Sequence, residues 1–373
     1  MRINQLLISF LLIVSLLASA NLTDSILSTS VKKEKKVRMA GLPNVFYGPE
    51  TRFGLGADAY LFFKLHGKDT AANYDSITRT SFIKASIQGT QNKQYNFQGF
   101  WQGFTNRDRI FFDGWVGYQQ FPQLYWKLGP KSPDEPEAID YKFAWAYQKL
   151  LFKATKNLYV GGQYVFLEMW DLKTNLNGVD ILQSEKLTGG TKGYVGSGFG
   201  IALHYDNRNN IVNSLNGTYA EFTFQQFNKT LGASNYWDWM QIDIRKFINT
   251  SKKLKHVLAL QFKANSVFGD PPFLEFNGIM LRGYYSGRYR ERHFILSQAE
   301  YRFPVYKRFG MVVFGGAGNA TNTYINFDFN SLKPSYGLGL RFKLIKKDDV
   351  NLRLDYAWGY QSEAWYLSLT EYF

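Results

Sequence analysis

From residue 52 onward the chain alternates apolar and polar positions with a period of two, one segment after another. Between Arg52 and Lys64, the side chains of Phe53, Leu55, Ala57, Ala59, Leu61 and Phe63 fall on one face. Arg52, Asp58 and Lys64 fall on the other. At 217–226, Ala220, Phe222 and Phe224 oppose Glu221, Thr223 and Gln225. The division recurs at 240–245 and 256–264. At 336–344, Tyr336, Leu338, Leu340 and Phe342 oppose Gly337, Gly339, Arg341 and Lys343. At 350–358, Leu352, Leu354 and Tyr356 oppose Asn351, Arg353 and Asp355. Period two marks a strand whose faces meet different environments. Many of these segments reach the roughly 9–11 residues a tilted strand needs to cross a bilayer.

About fifteen such strands can be placed, the first near 52–64 and the last at 363–373. A closed single-chain barrel takes an even number, so one more is expected between 170 and 191, where the pattern fades; fourteen is the alternative. Short turns at Lys307-Arg308 and at 346–349 fall at one end of the strands. Long connections at 122–139, 170–191, 269–292 and 321–332 fall at the other. Alternation alone also fits a soluble sandwich. Strand length, aromatics near many strand ends and a terminal strand stopping at Phe373 favour a transmembrane antiparallel β-barrel. An Arg or Lys facing lipid at mid-membrane costs ~2–4 kcal/mol, so the charged faces are expected to line the lumen.

Composition narrows the class. Aromatics make up 18% of residues, Gly is abundant, and beyond residue 20 no stretch offers the ~18 apolar residues of a spanning helix. Residues 1–20 read as a signal peptide: Arg2, an apolar core at 6–17 and Ala18-Ser19-Ala20. Residues 21–50 read as a polar basic segment ahead of a barrel at 51–373. Cysteine is absent, which excludes disulfides and thiolate metal sites. The formal net charge of +14 fits lipid phosphates or acidic surface sugars better than nucleic acid in an exported chain.

The most distinctive stretch opens with Leu281-Arg282-Gly283-Tyr284-Tyr285, in a loop that also carries Arg288, Arg290 and Arg292. A strand bearing Glu300 follows, then Phe314-Gly315-Gly316-Ala317-Gly318. This ordered set resembles the BamA/TamA superfamily of outer-membrane barrels, the bacterial surface antigens. Tyr205-Asp206-Asn207-Arg208 and the run Leu42-Pro43 to Gly56 are similar to further family segments. The resemblance implies sixteen strands and an inward-folded loop anchored by Arg282, Gly283, Tyr284 and Glu300. It also implies a seam between first and last strands, with Phe373 as the C-terminal signal. Where the family has an Asp on the second strand this chain has Gly316, so Arg282 is expected to keep Glu300 and lose its other acid. The chain resembles a short form lacking periplasmic POTRA domains.

Chemistry is sparse. No Ser lies two residues from any of the four histidines, and no two histidines stand at metal-ligand spacing. His204 and Asp206 share a strand face and are the one pair that could activate water. Neither cofactor, metal nor catalytic residue is expected, and the chain does not read as an enzyme. The resemblance implies protein or lipid insertion, assembly or translocation at the outer membrane of a Gram-negative bacterium. It implies outer-membrane lipid, protein clients and accessory assembly proteins as partners, and no nucleic acid. A passive pore narrowed by the loop is the alternative, and a barrel hydrolase the third reading.

Overall fold

The computed structural model describes residues 37–65, 79, 81–130, 135–189, 192–210, 213–251, 253–323, 328–345 and 350–373. The signal-peptide reading, His66 and the turn at 346–349 lie outside the described residues.

The strands are β1 (Val37–Gly48), β2 (Arg52–Phe63), β3 (Ser81–Thr90), β4 (Tyr95–Thr105), β5 (Ile110–Gln120), β6 (Gln123–Tyr125), β7 (Glu137–Lys153), β8 (Leu158–Lys173) and β9 (Tyr194–Asp206). They continue as β10 (Gly217–Phe227), β11 (Trp237–Ser251), β12 (His256–Gly269), β13 (His293–Tyr306), β14 (Phe309–Thr321), β15 (Lys333–Ile345), β16 (Val350–Gly359) and β17 (Ser362–Leu369). Each pairs antiparallel with its chain neighbour, except that β5 pairs directly with β7 while short β6 pairs with the start of β7. β1 pairs with β17, so the ring closes as a sixteen-stranded barrel with β6 outside it. Closure satisfies the main-chain N–H and C=O groups that an open edge would leave bare in lipid.

The sheet is inside out relative to a soluble protein. Leu55, Ile87, Phe97, Phe199, Ile201, Tyr336, Leu338 and Leu340 are exposed on the outer surface. Asp58, Glu221, Asp243, Glu300, Arg302, Arg341, Arg353 and Asp355 are buried within. Charge inside and apolar surface outside is the arrangement a lipid-facing barrel requires, and it excludes the sandwich.

The strand missing from the sequence reading is β1, not a segment at 170–191. Among the described residues of 174–189 there is no strand, because β8 simply runs on to Lys173. β1 lies inside the stretch read as a polar basic segment, so the barrel begins before residue 51. Gly41 and Pro43 hid it. Proline removes a ladder donor and is tolerated on an edge strand, and β1 is nearly that. It pairs with β2 from Val37↔Phe63 to Gly48↔Arg52, but with β17 only at Tyr47↔Leu367.

Candidate functional site

The loop between β12 and β13 turns into the barrel and lies along the β13–β17 wall. Gly283 makes the bend at φ +93°, a left-handed conformation that other residues rarely adopt. A Cβ there would meet the main chain of Trp358 and Gly359 at 2.8 Å. The flanking groups are tied to the same wall. Ser335 donates to the Arg282 carbonyl (2.6 Å), and the Gly283 N–H donates to the Tyr366 hydroxyl (2.9 Å). The Tyr284 hydroxyl donates to the Pro334 carbonyl and accepts from the Tyr360 N–H (2.7 Å).

Arg282 is fully buried and held by two carboxylates. Its Nη2 lies 2.6 Å from Glu300 and its Nη1 2.7 Å from Asp355. The second acid is therefore present, supplied by β16 rather than β14. A Cβ at Gly316 would lie 2.6 Å from the Gln298 side chain, so the β14 position has no room for an acid. Asp355 instead occupies space left by Gly339, its partner across the β15–β16 ladder. The guanidinium also stacks between rings, 3.4 Å from the Phe314 centroid and 4.3 Å from that of Tyr372.

Arg282 is one member of a larger network. Arg302 contacts Glu300 at 3.0 Å, Arg341 contacts Asp355 at 2.5 Å and Glu371 at 2.8 Å, and Arg353 lies 3.8 Å from Asp355. Period-two geometry puts Glu300 and Arg302, and Arg353 and Asp355, on the lumen side of their strands. Arg341 and Arg353 face each other across a ladder, a repulsive placement, and Asp355 lies against both. Four guanidinium groups thus share Glu300, Asp355 and Glu371.

Phe373 is not part of the seam ladder. β17 ends at Leu369, Thr370 turns at φ +68°, and residues 371–373 enter the lumen. There the Phe373 ring packs on Phe247, Val257 and Ala259, while its carbonyl accepts from Arg302 at 2.9 Å. Glu371 belongs to the arginine network, 2.8 Å from Arg341. Sequence reading missed Asp355 and Glu371 as site residues. Their only signal was placement on lumen-facing positions among three arginines.

The other loop arginines brace the loop itself. Arg290 Nη1 donates to the Leu274 and Phe276 carbonyls, each at 3.0 Å, and Arg292 Nη1 to Gly269 at 3.0 Å. Arg288 lies over the Tyr289 ring at 4.9 Å. On the opposite side, Phe273 is buried among Tyr125, Leu182, Tyr194 and Trp237. Below the loop a cavity of about 570 Å³ remains, lined by Trp115, Lys149, Glu221 and Arg290 among others.

The His204–Asp206 pair does not form a water-activating dyad. His204 Nδ1 faces Glu221 at 3.3 Å, with Lys149 on the same carboxylate at 3.0 Å, and its ring stacks on Phe111. Asp206 is taken by Arg208, at 2.8 and 2.9 Å. Among the described residues no three acid or histidine side chains converge on a metal position.

The Omp85 superfamily domain matches residues 77–370. Solved structures of similar fold include BamA from Haemophilus ducreyi lacking POTRA domains 1–3. It is 14% identical, with a TM-score of 0.57, and the match covers 91% of this chain and 71% of that one. CdiB from Acinetobacter baumannii is 11% identical, with a TM-score of 0.55, over 90% of this chain and 60% of that one. CdiB from Escherichia coli is 9% identical, with a TM-score of 0.55, over 92% of this chain and 64% of that one. No curated protein sequence matches the chain.

Proposed function

The chain belongs to the Omp85 superfamily, and from that premise we propose that it inserts, assembles or translocates proteins at a Gram-negative outer membrane by parting the β1–β17 seam. The loop end of the barrel faces outward and the turn end faces the periplasm. The observation that carries this reading is the seam itself. Even the short β3–β4 junction is laddered from Phe82↔Gln102 to Gly89↔Tyr95, whereas β1 and β17 register only at Tyr47↔Leu367.

Beside that pair, Tyr47 and Trp365 stack with centroids 3.5 Å apart, and Phe53 meets both edge-on. Such contacts are worth about 0.5–1.5 kcal/mol each, far less than a continuous ladder. Parting this junction exposes the main-chain edge of β1, to which a client strand adds by exchanging hydrogen bonds. No bond is made or broken, so the role requires no catalytic residue and no cofactor. The Arg282–Glu300–Asp355 cluster fixes the loop to the wall next to the seam, which stays rigid while the seam moves. Protein clients, accessory assembly proteins and outer-membrane lipid are the partners this role needs.

The test places cysteines at the registered pair, Tyr47→Cys and Leu367→Cys, in the barrel reconstituted in liposomes. The quantity measured is the folding rate of a second outer-membrane barrel into those liposomes. Oxidation is expected to slow it to the rate of protein-free liposomes, and reduction to restore it. Equal acceleration in the oxidised and reduced forms would remove the seam as the route.

A further inference from the structure

Basic side chains from two turns and two strands meet at the turn end of the lumen. A cavity of about 270 Å³ opens there against the β13–β16 wall. Lys255, Arg302, Lys307, Arg308, Arg341 and Lys343 line it, with Glu371 the single carboxylate of the lining among the described residues. Arg302 and Arg341 are more than nine-tenths buried. Arg302 Nη1 and Arg341 Nη2 have no hydrogen-bond partner among the described residues, although the other nitrogens of both groups serve Glu300, Glu371, Asp355 and Phe373.

A buried guanidinium N–H without an acceptor is costly, and the two arginines that carry one each both line a single strongly basic cavity. We propose that this mouth binds a phosphate group, carried on a lipid headgroup or free in solution. Arginine forks and lysine point charges together suit a dianion with several acceptor oxygens. Glu300, Asp355 and Glu371 offset Arg302 and Arg341, while Lys255, Lys307 and Arg308 add positive charge at the mouth, and a phosphate offsets more of it than a further carboxylate would. Because Arg302 and Arg341 also hold Phe373 and Glu371, phosphate and Glu371 compete for the same cations, and binding is coupled to the position of residues 371–373.

The experiment titrates the full barrel in a maltoside detergent with inorganic phosphate, followed by calorimetry. Lys255→Gln/Lys307→Gln/Arg308→Gln alters exposed residues outside the ion-pair network, and heat-modifiable gel mobility verifies that it folds. The barrel is expected to bind phosphate saturably, with affinity reduced about tenfold or more in the triple variant through loss of charge-assisted hydrogen bonds. Glu371→Gln is expected to bind more tightly, since the competing carboxylate is gone. Dihexanoyl phosphatidic acid is the second titrant: competition with phosphate identifies a lipid headgroup as a source, and failure to compete leaves free phosphate. Absence of saturable binding overturns the proposal. So does equal affinity in the triple variant, or saturation by hexaglutamate where phosphate does not bind.

Discussion

Against β13–β17 the loop is held by charge, and against the β7–β11 side it is held by aromatic packing. On the first wall, Arg282 meets Glu300 and Asp355 within a network of four guanidinium groups and three carboxylates. On the second, Phe273 sits among Tyr125, Leu182, Tyr194 and Trp237, and the stacked pair Phe227–Trp237 closes beside it. A buried ion pair tolerates few partners, because an unmatched charge inside a barrel has nowhere to go. An aromatic cluster tolerates many sequences of similar volume. That contrast fits the place of the most distinctive motif, Leu281 to Gly318, on the charged wall, although the family match itself runs over residues 77–370. The charged wall demands particular residues, and the apolar wall demands only bulk.

The comparison is broken most sharply at Arg282. Arg282→Ala leaves two buried carboxylates without their shared cation, a loss of about 3–5 kcal/mol. A large fall in thermal stability in detergent is expected, together with steady single-channel conductance in planar bilayers where the parent is nearly closed. A parent that already conducts steadily, with a variant that changes little, would favour a passive pore. Phe273→Ala attacks the other wall. It is expected to cost about 3 kcal/mol by opening a cavity, yet to leave conductance nearer that of the parent, because the ionic anchors survive. Conductance rising as far as in Arg282→Ala would mean that the two walls contribute equally to holding the loop.

The smallest effect concerns Glu50, in the β1–β2 turn, whose carboxylate accepts from the Ser286 N–H of the loop. Burial pushes the Glu50 carboxyl above its ordinary range. Its folded pKa is therefore the higher one, so its contribution to docking is fully present below the usual carboxylate pKa. That contribution is lost as pH rises through the raised value. Glu50→Gln keeps an acceptor without the charge. It is expected to melt slightly higher than the parent at neutral pH and to lose the pH dependence of that difference; an unchanged pH profile would remove Glu50 as its source.

Much of the molecule was legible before any coordinates. Period-two alternation fixes which side chains share a face, since successive Cβ atoms point to opposite sides of a strand. The cost of charge in lipid then decides which face turns inward. Faces, strand ends and the long connection at 269–292 followed from those two rules. The first strand did not, because Gly41 and Pro43 interrupt its pattern, and a strand with one nearly free edge escapes the pairing that forbids proline elsewhere. The second acid of Arg282 did not either. Asp355 lies 73 residues from Arg282 along the chain and reaches it only because Gly339 leaves space across the ladder, while Gly316 leaves none for an acid on β14.

Phe373 shows the same limit. Its aromatic character predicted a place in the seam, but Thr370 turns the last residues into the lumen, where Arg302, Arg341 and a pocket of apolar residues receive them. The sequence by itself determined the barrel and its inside-out faces, because these follow from local alternation and from the solvent on each side, while the inward loop was implied by the resemblance of its motif. The tertiary structure alone decided which acid meets which arginine, where the ring closes and where residues 371–373 go. Those outcomes depend on the register and free volume between strands far apart in the chain, and no local pattern encodes either.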